Sequence, residues 1–222
     1  MERRIYVFWT GTNEMSKNRM DCVEQLRETS GAEVTLVTPE ILPSYIVRTA
    51  PLHDAYQYLS ETHKADYLRT YFMNFYGGGY SDVKKTTGCW TDAFEDLERG
   101  GFWMNGYPID YQEVAYHPLI GEADSLIGNA AYISRPETPL TIEWYSEMIS
   151  LLDKKLARLK KFPASFPQDH SGRGFGLWPQ EGLSKYPIGW NEMLGNIFHR
   201  VSYKYRHKIL KSVPMPVFKN YR

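Results

Sequence analysis

The sequence predicts an α/β fold, with a mostly parallel central sheet flanked by helices, in a single domain over residues 1–222. Three observations carry that expectation. Short apolar, β-prone runs alternate with helical patterns through the first hundred residues. Across the 222 residues, 42% are hydrophobic and 23% charged, enough apolar material for one core and too little charge for disorder. No internal repeat and no Pro/Gly/Ser linker divides the chain.

"IYVFW" (5–9) reads as a buried strand, and "TGTNEMSKN" after it as a polar loop. A helix is expected from about Arg19 to Thr29, closed near Gly31, and a second strand at 33–38, stopped by Pro39. A strand, a helix and a strand in that order favour parallel pairing with a right-handed crossover. Ligands of such sheets lie beyond the carboxyl ends of the strands, here the loops that start at Trp9 and Thr38. The next helix is expected over about Asp54–Phe75. Leu68, Tyr71, Phe72 and Phe75 form its apolar face, with Asp66, Arg69 and Met73 opposite. On spacing alone, Asp66 and Arg69 read as a surface ion pair.

"YFMNFYGGGYSDVKKTTG" (71–88) then runs an aromatic helix into three glycines. Glycines are costly to order, and three exceed what a bend requires. They allow a sharp turn and close backbone approach, entering a strand-like "YSDV" that puts Tyr80 and Asp82 on one side. Further strands are expected in 100–106 and 129–134. A long helix follows Thr138 and Pro139, with an apolar stripe of Tyr145, Met148, Leu152, Leu156 and Leu159. The stretch 162–190, rich in Pro, Gly and aromatics, reads as an irregular excursion near a site, and a closing helix is expected near 191–211.

Composition excludes several functions. A net charge of zero argues against duplex nucleic acid as partner. Seven of the 26 basic residues nevertheless fall between His199 and Arg222 with no acidic residue among them, leaving 19 basic against 26 acidic elsewhere. This basic end is either a solvated helix face or an electrostatic contact for phosphates, an anionic membrane or an acidic partner. Cys22 and Cys89 are too few for a disulfide framework or a zinc site, and no apolar run has membrane-spanning length. "MERR" is followed by too short an apolar run for a signal peptide, so a soluble cytoplasmic protein is expected. No P-loop is present, and no dinucleotide fingerprint follows the first strand. The aromatic share of 15% suits either a tyrosine-rich core or a lining for sugars and bases.

"HKADYLRTYFMNFYGGGYSDVKK" (63–85) resembles the sugar-binding region of GT-A glycosyltransferases of the family 32 and capsular-polysaccharide-synthesis type. Virus-encoded glycosyltransferases share the resemblance. Asp66 and Arg69 match the family's helical pair; Tyr76, Gly77, Gly78 and Tyr80 match its turn; Asp82 matches the first residue of its Asp-x-Asp motif. The first two strands are also similar. The resemblance implies a Rossmann-like GT-A domain, with a nucleotide-sugar donor half over about 1–110 and an acceptor half over about 111–222. It implies transfer, hexosyl in type, from a nucleotide-diphosphate sugar, most often a UDP-sugar, to a glycan or glycoprotein. Trp9, Thr10, Gly11 and Thr38 would meet base and ribose, and Asp66 and Arg69 would hydrogen-bond the donor sugar or stabilise the neighbouring loop. Gly78, Gly79 and Tyr80 would shape the turn that presents Asp82 to the ribose and the metal–diphosphate.

The chain departs from the motif at Lys84, which stands where the second Asp is expected. Two alternatives follow. Either Mn²⁺ or Mg²⁺ sits on Asp82, the diphosphate and waters, with His199 completing the shell, or Lys84 or Lys85 supplies the positive charge directly. For the acceptor proton, Asp110, Glu113, Asp169, His170 and Glu192 are candidates. Glu192 is preferred, with Trp190 and His199 in "GWNEMLGNIFH" (189–199), although Asn191 and Glu192 also suit a plain helix start. Asp82 and Glu192 are thus the expected catalytic pair. The other function classes left open are a non-catalytic nucleotide-sugar or glycan-binding module with a degenerate motif, and a structural partner domain.

Overall fold

The computed structural model describes residues 2–171 and 184–221, so part of the excursion expected at 162–190 lies outside the described residues. The first strand–helix–strand unit forms as expected: β1 (Arg4–Phe8), α1 (Lys17–Thr29) and β2 (Glu33–Val37). β1 and β2 pair in parallel from Arg4 with Glu33 to Phe8 with Val37. Then come α2 (Glu61–Phe75), β3 (Gly78–Ser81), β4 (Lys85–Thr86), α3 (Thr91–Arg99), β5 (Met104–Gly106) and β6 (Ala131–Ser134). The chain continues through α4 (Pro139–Lys161), α5 (Gly195–Lys204), β7 (Ile209–Leu210) and β8 (Pro216–Val217).

Six strands make the central sheet in the order β2-β1-β3-β6-β5-β7, while β4 and β8 pair separately. β6 runs against both of its neighbours, and every other pairing in the six-stranded sheet is parallel. The chain places β2 on one side of β1 and β3 on the other. The crevice between β1 and β3 is therefore a topological switch point, where open α/β sheets take ligands.

Side chains alternate between two apolar layers with period two. Tyr6, Phe8, Tyr80 and Tyr132 face a core shared with α2, α4 and α5, whereas Ile5, Val7, Ala131 and Ile133 face one built on α1 and α3. Helices cover both faces, so the sheet is the middle layer.

Four expectations need correction. The second helix starts at Glu61, not near Asp54, because Ser60 caps it by accepting the His63 N–H. The residues before the cap are spent on turns, held where the His53 N–H donates to the Tyr67 hydroxyl. α2 is also buried on every side from Asp66 to Asn74: Asp66, Arg69 and Met73 are buried, like Leu68 and Phe72. It packs between the sheet and α4, so the surface ion-pair reading of Asp66 and Arg69 fails. The closing helix is only Gly195–Lys204, and Ile209 and Leu210, expected at its tail, instead extend the sheet beside β5. A two-residue apolar run has no periodicity, so only its partner strand decides its state. Finally, the strand expected over 100–106 is confined to Met104–Gly106.

Candidate active site

The glycine stretch explains itself in space. Gly77 and Gly78 adopt φ of 65° and 82°, a region that side chains avoid. A Cβ on Gly77 would lie 2.5 Å from Pro136 Cδ, and one on Gly78 would lie 2.8 Å from the Arg4 carbonyl. Three glycines therefore let the chain turn out of α2 and enter the sheet tightly against β1, with the strand beginning at Gly78 itself. β3 ends at Ser81, so Asp82 emerges at the strand's carboxyl end, its N–H donating to the Ala130 carbonyl at 2.8 Å.

Around Asp82 the sheet and α2 gather a charged cluster. Arg69 Nη2 lies 3.4 Å from Asp82 Oδ1 and 3.2 Å from Asp66 Oδ1, so one guanidinium bridges two carboxylates. Its Nη1 donates to the Asn129 carbonyl at 2.8 Å, and its Cζ sits 4.4 Å above the Tyr80 ring. The Tyr80 ring lies between Phe8 and Tyr132, at 5.7 and 5.3 Å, and its hydroxyl donates to Asp82 Oδ1. Lys84 donates to the other carboxylate oxygen, Oδ2. The Lys84 N–H closes a tight turn onto the Asp82 carbonyl at 2.7 Å, folding the side chain back, while Lys85 enters β4 and is exposed.

These contacts split the two aspartates electrostatically. Burial raises the Asp66 carboxyl to about 7, with Arg69 working against it. Burial pushes Asp82 the same way, but Lys84 and Arg69 overcome it and hold Asp82 below the usual carboxylate range. Asp82 is thus a fixed anion at neutral pH, and Asp66 sits near the midpoint of its titration.

A cavity of about 300 Å³ lies at the carboxyl ends of β1 and β2. Trp9, Thr10, Thr38, Leu42, Lys64 and Leu68 are among the residues that line it. Its walls are mostly apolar with a few polar groups, the usual character of a small-molecule site. Lys64 and Leu68 share one flank of α2, one turn apart, while Asp66 and Arg69 belong to the flank facing β3. The loops singled out at Trp9 and Thr38 are therefore the cavity's rim. Trp9 also carries the Arg19 guanidinium 5.5 Å from its ring and donates from Nε1 to the Asn13 carbonyl. Thr10 ties this rim to α2 by donating to the Glu61 carbonyl, and Gly11 continues into the loop closed by Asn13.

Glu192 and His199 make their contacts elsewhere. Glu192 binds the Lys155 ammonium at 2.7 Å and the Gly189 N–H at 2.8 Å, in the turn before α5 rather than at its start, where Leu194 is the cap residue. His199 is buried on α5, where its Nδ1 accepts the Ala115 N–H, and burial lowers it to about 4. Among the described residues no three His, Cys, Asp or Glu side chains come together as a metal site. The residues around Asp82 do not fit a resident divalent ion either. Such an ion needs several oxygen ligands, whereas both Asp82 oxygens already meet N–H or O–H donors and the next carboxylate, Asp66, is held by Arg69.

Sequence reasoning missed Tyr132, which faces Tyr80 across β3 and β6, and the C-terminal pair Phe218 and Tyr221. Those two rings lie 5.0 and 4.9 Å from the Lys84 ammonium. Only the pairing of β8 with β4 brings them there, and neither strand has a legible pattern. Nothing in their spacing could have found them.

No protein-family model matches the sequence, and no curated protein matches it. Among solved structures, the PaToxG glycosyltransferase is similar over 92% of this chain and 69% of its own, at 12% identity and a TM-score of 0.49. The glycosyltransferase GlyE of Streptococcus pneumoniae TIGR4 is similar over 70% of this chain and 40% of its own, at 14% identity and a TM-score of 0.36. Both of these neighbours are glycosyltransferases, but likenesses this loose carry no residue's role across. The chemistry has to come from this chain's own side chains. Among the described residues no helix is long and apolar enough to cross a membrane.

Proposed function

We propose that this chain is a glycosyltransferase of the GT-A type, moving a hexosyl group from a nucleotide-diphosphate sugar, UDP-sugars first among them, to a glycan or glycoprotein. The observation that carries this reading is a largely buried charged cluster at the carboxyl end of β3, on the same edge of the sheet as a mostly apolar cavity at the carboxyl ends of β1 and β2. A nucleotide sugar has those same two parts. The base and ribose occupy the cavity between Trp9, Thr10 and Thr38, and the diphosphate crosses toward Arg69, Asp82 and Lys84. Asp66 and Arg69 accept from and donate to the sugar hydroxyls, as buried polar groups that sort hydroxyl patterns do.

In the reaction, the bond between the anomeric carbon and the β-phosphate oxygen breaks, leaving its electron pair on that oxygen. The acceptor hydroxyl oxygen bonds to the anomeric carbon and gives its proton to the departing diphosphate. Positive charge develops on the sugar and one further negative charge on the diphosphate, so fixed cations around Asp82 stabilise the transition state more than the ground state. Asp82 orients those cations, which makes it the acid whose loss is felt most.

The test is release of nucleoside diphosphate from a panel of UDP-, GDP- and dTDP-sugars, with and without glycan acceptors. Turnover of at least one donor is expected, and Asp82→Ala should abolish it. A second reading, a binding module without turnover, draws on Lys84 holding the Asp82 carboxylate. Saturable nucleotide-sugar binding with no turnover across the panel would favour it, and no binding at all would remove both.

A further inference from the structure

Where a divalent ion would be expected, this chain holds a lysine. We infer that the Lys84 ammonium is the catalytic cation of the site, meeting the leaving diphosphate directly, and that donor binding needs no divalent metal. The inference rests on the nucleotide-sugar reading above and goes further by naming what neutralises the diphosphate.

Four features support it. First, Lys84 does not point away from Asp82: the turn after β3 brings its ammonium onto Asp82 Oδ2, and its side chain is only 11% exposed. Second, that ammonium is built in rather than adventitious. Phe218 and Tyr221 present ring faces at 5.0 and 4.9 Å. Those rings are carried by a C-terminal segment anchored through β8 on β4 and by the Thr87 N–H donating to the Met215 carbonyl. Aromatic faces hold a cation while excluding the water that would screen it.

Third, both Asp82 oxygens are already occupied. Oδ1 accepts from the Tyr80 hydroxyl and faces Arg69, and Oδ2 accepts from Lys84, so a divalent ion would have to displace one of these donors to be bound. Fourth, an ammonium carries three donors and spends one on Asp82, leaving N–H groups for phosphate oxygens without breaking the existing pair. During transfer the ammonium keeps its protons, and the electron pair released from the glycosidic bond stays on the phosphate oxygen that faces it. Lys85 has no such part, because it is exposed on the separate two-stranded sheet.

The inference is tested by calorimetric titration of the full chain with UDP and UMP, then GDP with GMP and dTDP with dTMP, in EDTA and in excess MnCl2, alongside donor turnover. A diphosphate should bind equally well in both solutions, and turnover should survive EDTA. Lys84→Met keeps the apolar stem between the two rings and should weaken diphosphate binding about tenfold to a hundredfold, the range for losing a charge-assisted hydrogen bond. The matching monophosphate should lose much less. Lys84→Arg should recover part of the affinity, and Lys84→Asp should make binding respond to Mn²⁺. Diphosphate binding that tightens tenfold or more with Mn²⁺ in the unaltered chain, or turnover lost in EDTA and restored by Mn²⁺, would overturn the inference and leave the glycosyltransferase reading standing. Unchanged affinity and turnover in a folded Lys84→Met chain would overturn it as well. If no diphosphate binds under any condition, the site reading itself falls and takes this inference with it.

Discussion

Arg69 is the residue on which the site turns, because one buried guanidinium serves two carboxylates, a backbone carbonyl and a tyrosine face. Buried charges persist only when paired, and removing one partner leaves the other stranded, at about 3–5 kcal/mol. Buried titratable groups set the protein's acid response. Burial holds His63 and His199 down to about 4, against 6.5 in the unfolded chain. Below 6.5 the unfolded chain takes up protons that the native chain refuses, so each histidine's share of stability is lost as pH falls toward 4. Asp66 acts in the opposite direction. Its folded value near 7 exceeds the unfolded 3.8, so between those values the native chain holds the extra proton and the contribution grows as pH falls. The two histidines outweigh the one aspartate, and urea unfolding between pH 6.5 and 4 should lose about 1.4 kcal/mol per pH unit. Asp66→Asn removes the opposing proton and should roughly double that slope. An unchanged slope would mean that Asp66 is ionised throughout.

At the scale of elements, the α2-to-β3 turn is the part least open to substitution. Gly78→Ala meets both a left-handed backbone and the Arg4 carbonyl at 2.8 Å. Backbone strain of that kind costs about 1–3 kcal/mol before any clash is counted, so a loss of at least about 2 kcal/mol is expected in chemical denaturation. Nucleotide binding should weaken in parallel, since the turn aims Asp82. A mutant as stable as the parent would show that the turn relaxes freely. α4 offers a milder contrast. Thr138 and Thr141 form a reciprocal cap there, so Thr138→Ala should cost about 1 kcal/mol while leaving binding untouched. The Thr138–Pro139 signal was readable in the sequence because capping is local chemistry. The start of α2 was not read, although Ser60 stands in the chain, because apolar residues upstream continue a helical pattern. Only packing on Tyr67 and Tyr71 spends those residues on turns.

Across the whole molecule, β1 and β6 are shared by both apolar layers, and strands from early and late in the chain alternate in one sheet. Neither residues 1–110 nor residues 111–222 keep a sheet of their own. Thermal unfolding followed by calorimetry, circular dichroism and tryptophan fluorescence should therefore give one coincident transition. Two separated transitions would show that the halves are independent units. The basic C-terminal end is in part a paired surface: Arg200 bonds Glu147, and Lys204 bonds Glu143. Beyond it the chain returns to place Phe218 and Tyr221 over Lys84, tying the far end to the site.

By itself the sequence determined the βαβ opening, the mostly parallel sheet, the rim loops at Trp9 and Thr38, and the glycine turn that presents Asp82. These are written in periodicity, capping and backbone chemistry, which act over a few residues. Tertiary structure alone decided that Asp66 and Arg69 are buried rather than exposed, that Lys84 folds back onto Asp82, and that two rings from the last residues lie against its ammonium. Those outcomes depend on which distant segments pack together, and a spacing of three on a helix is the same whether solvent or a sheet lies opposite.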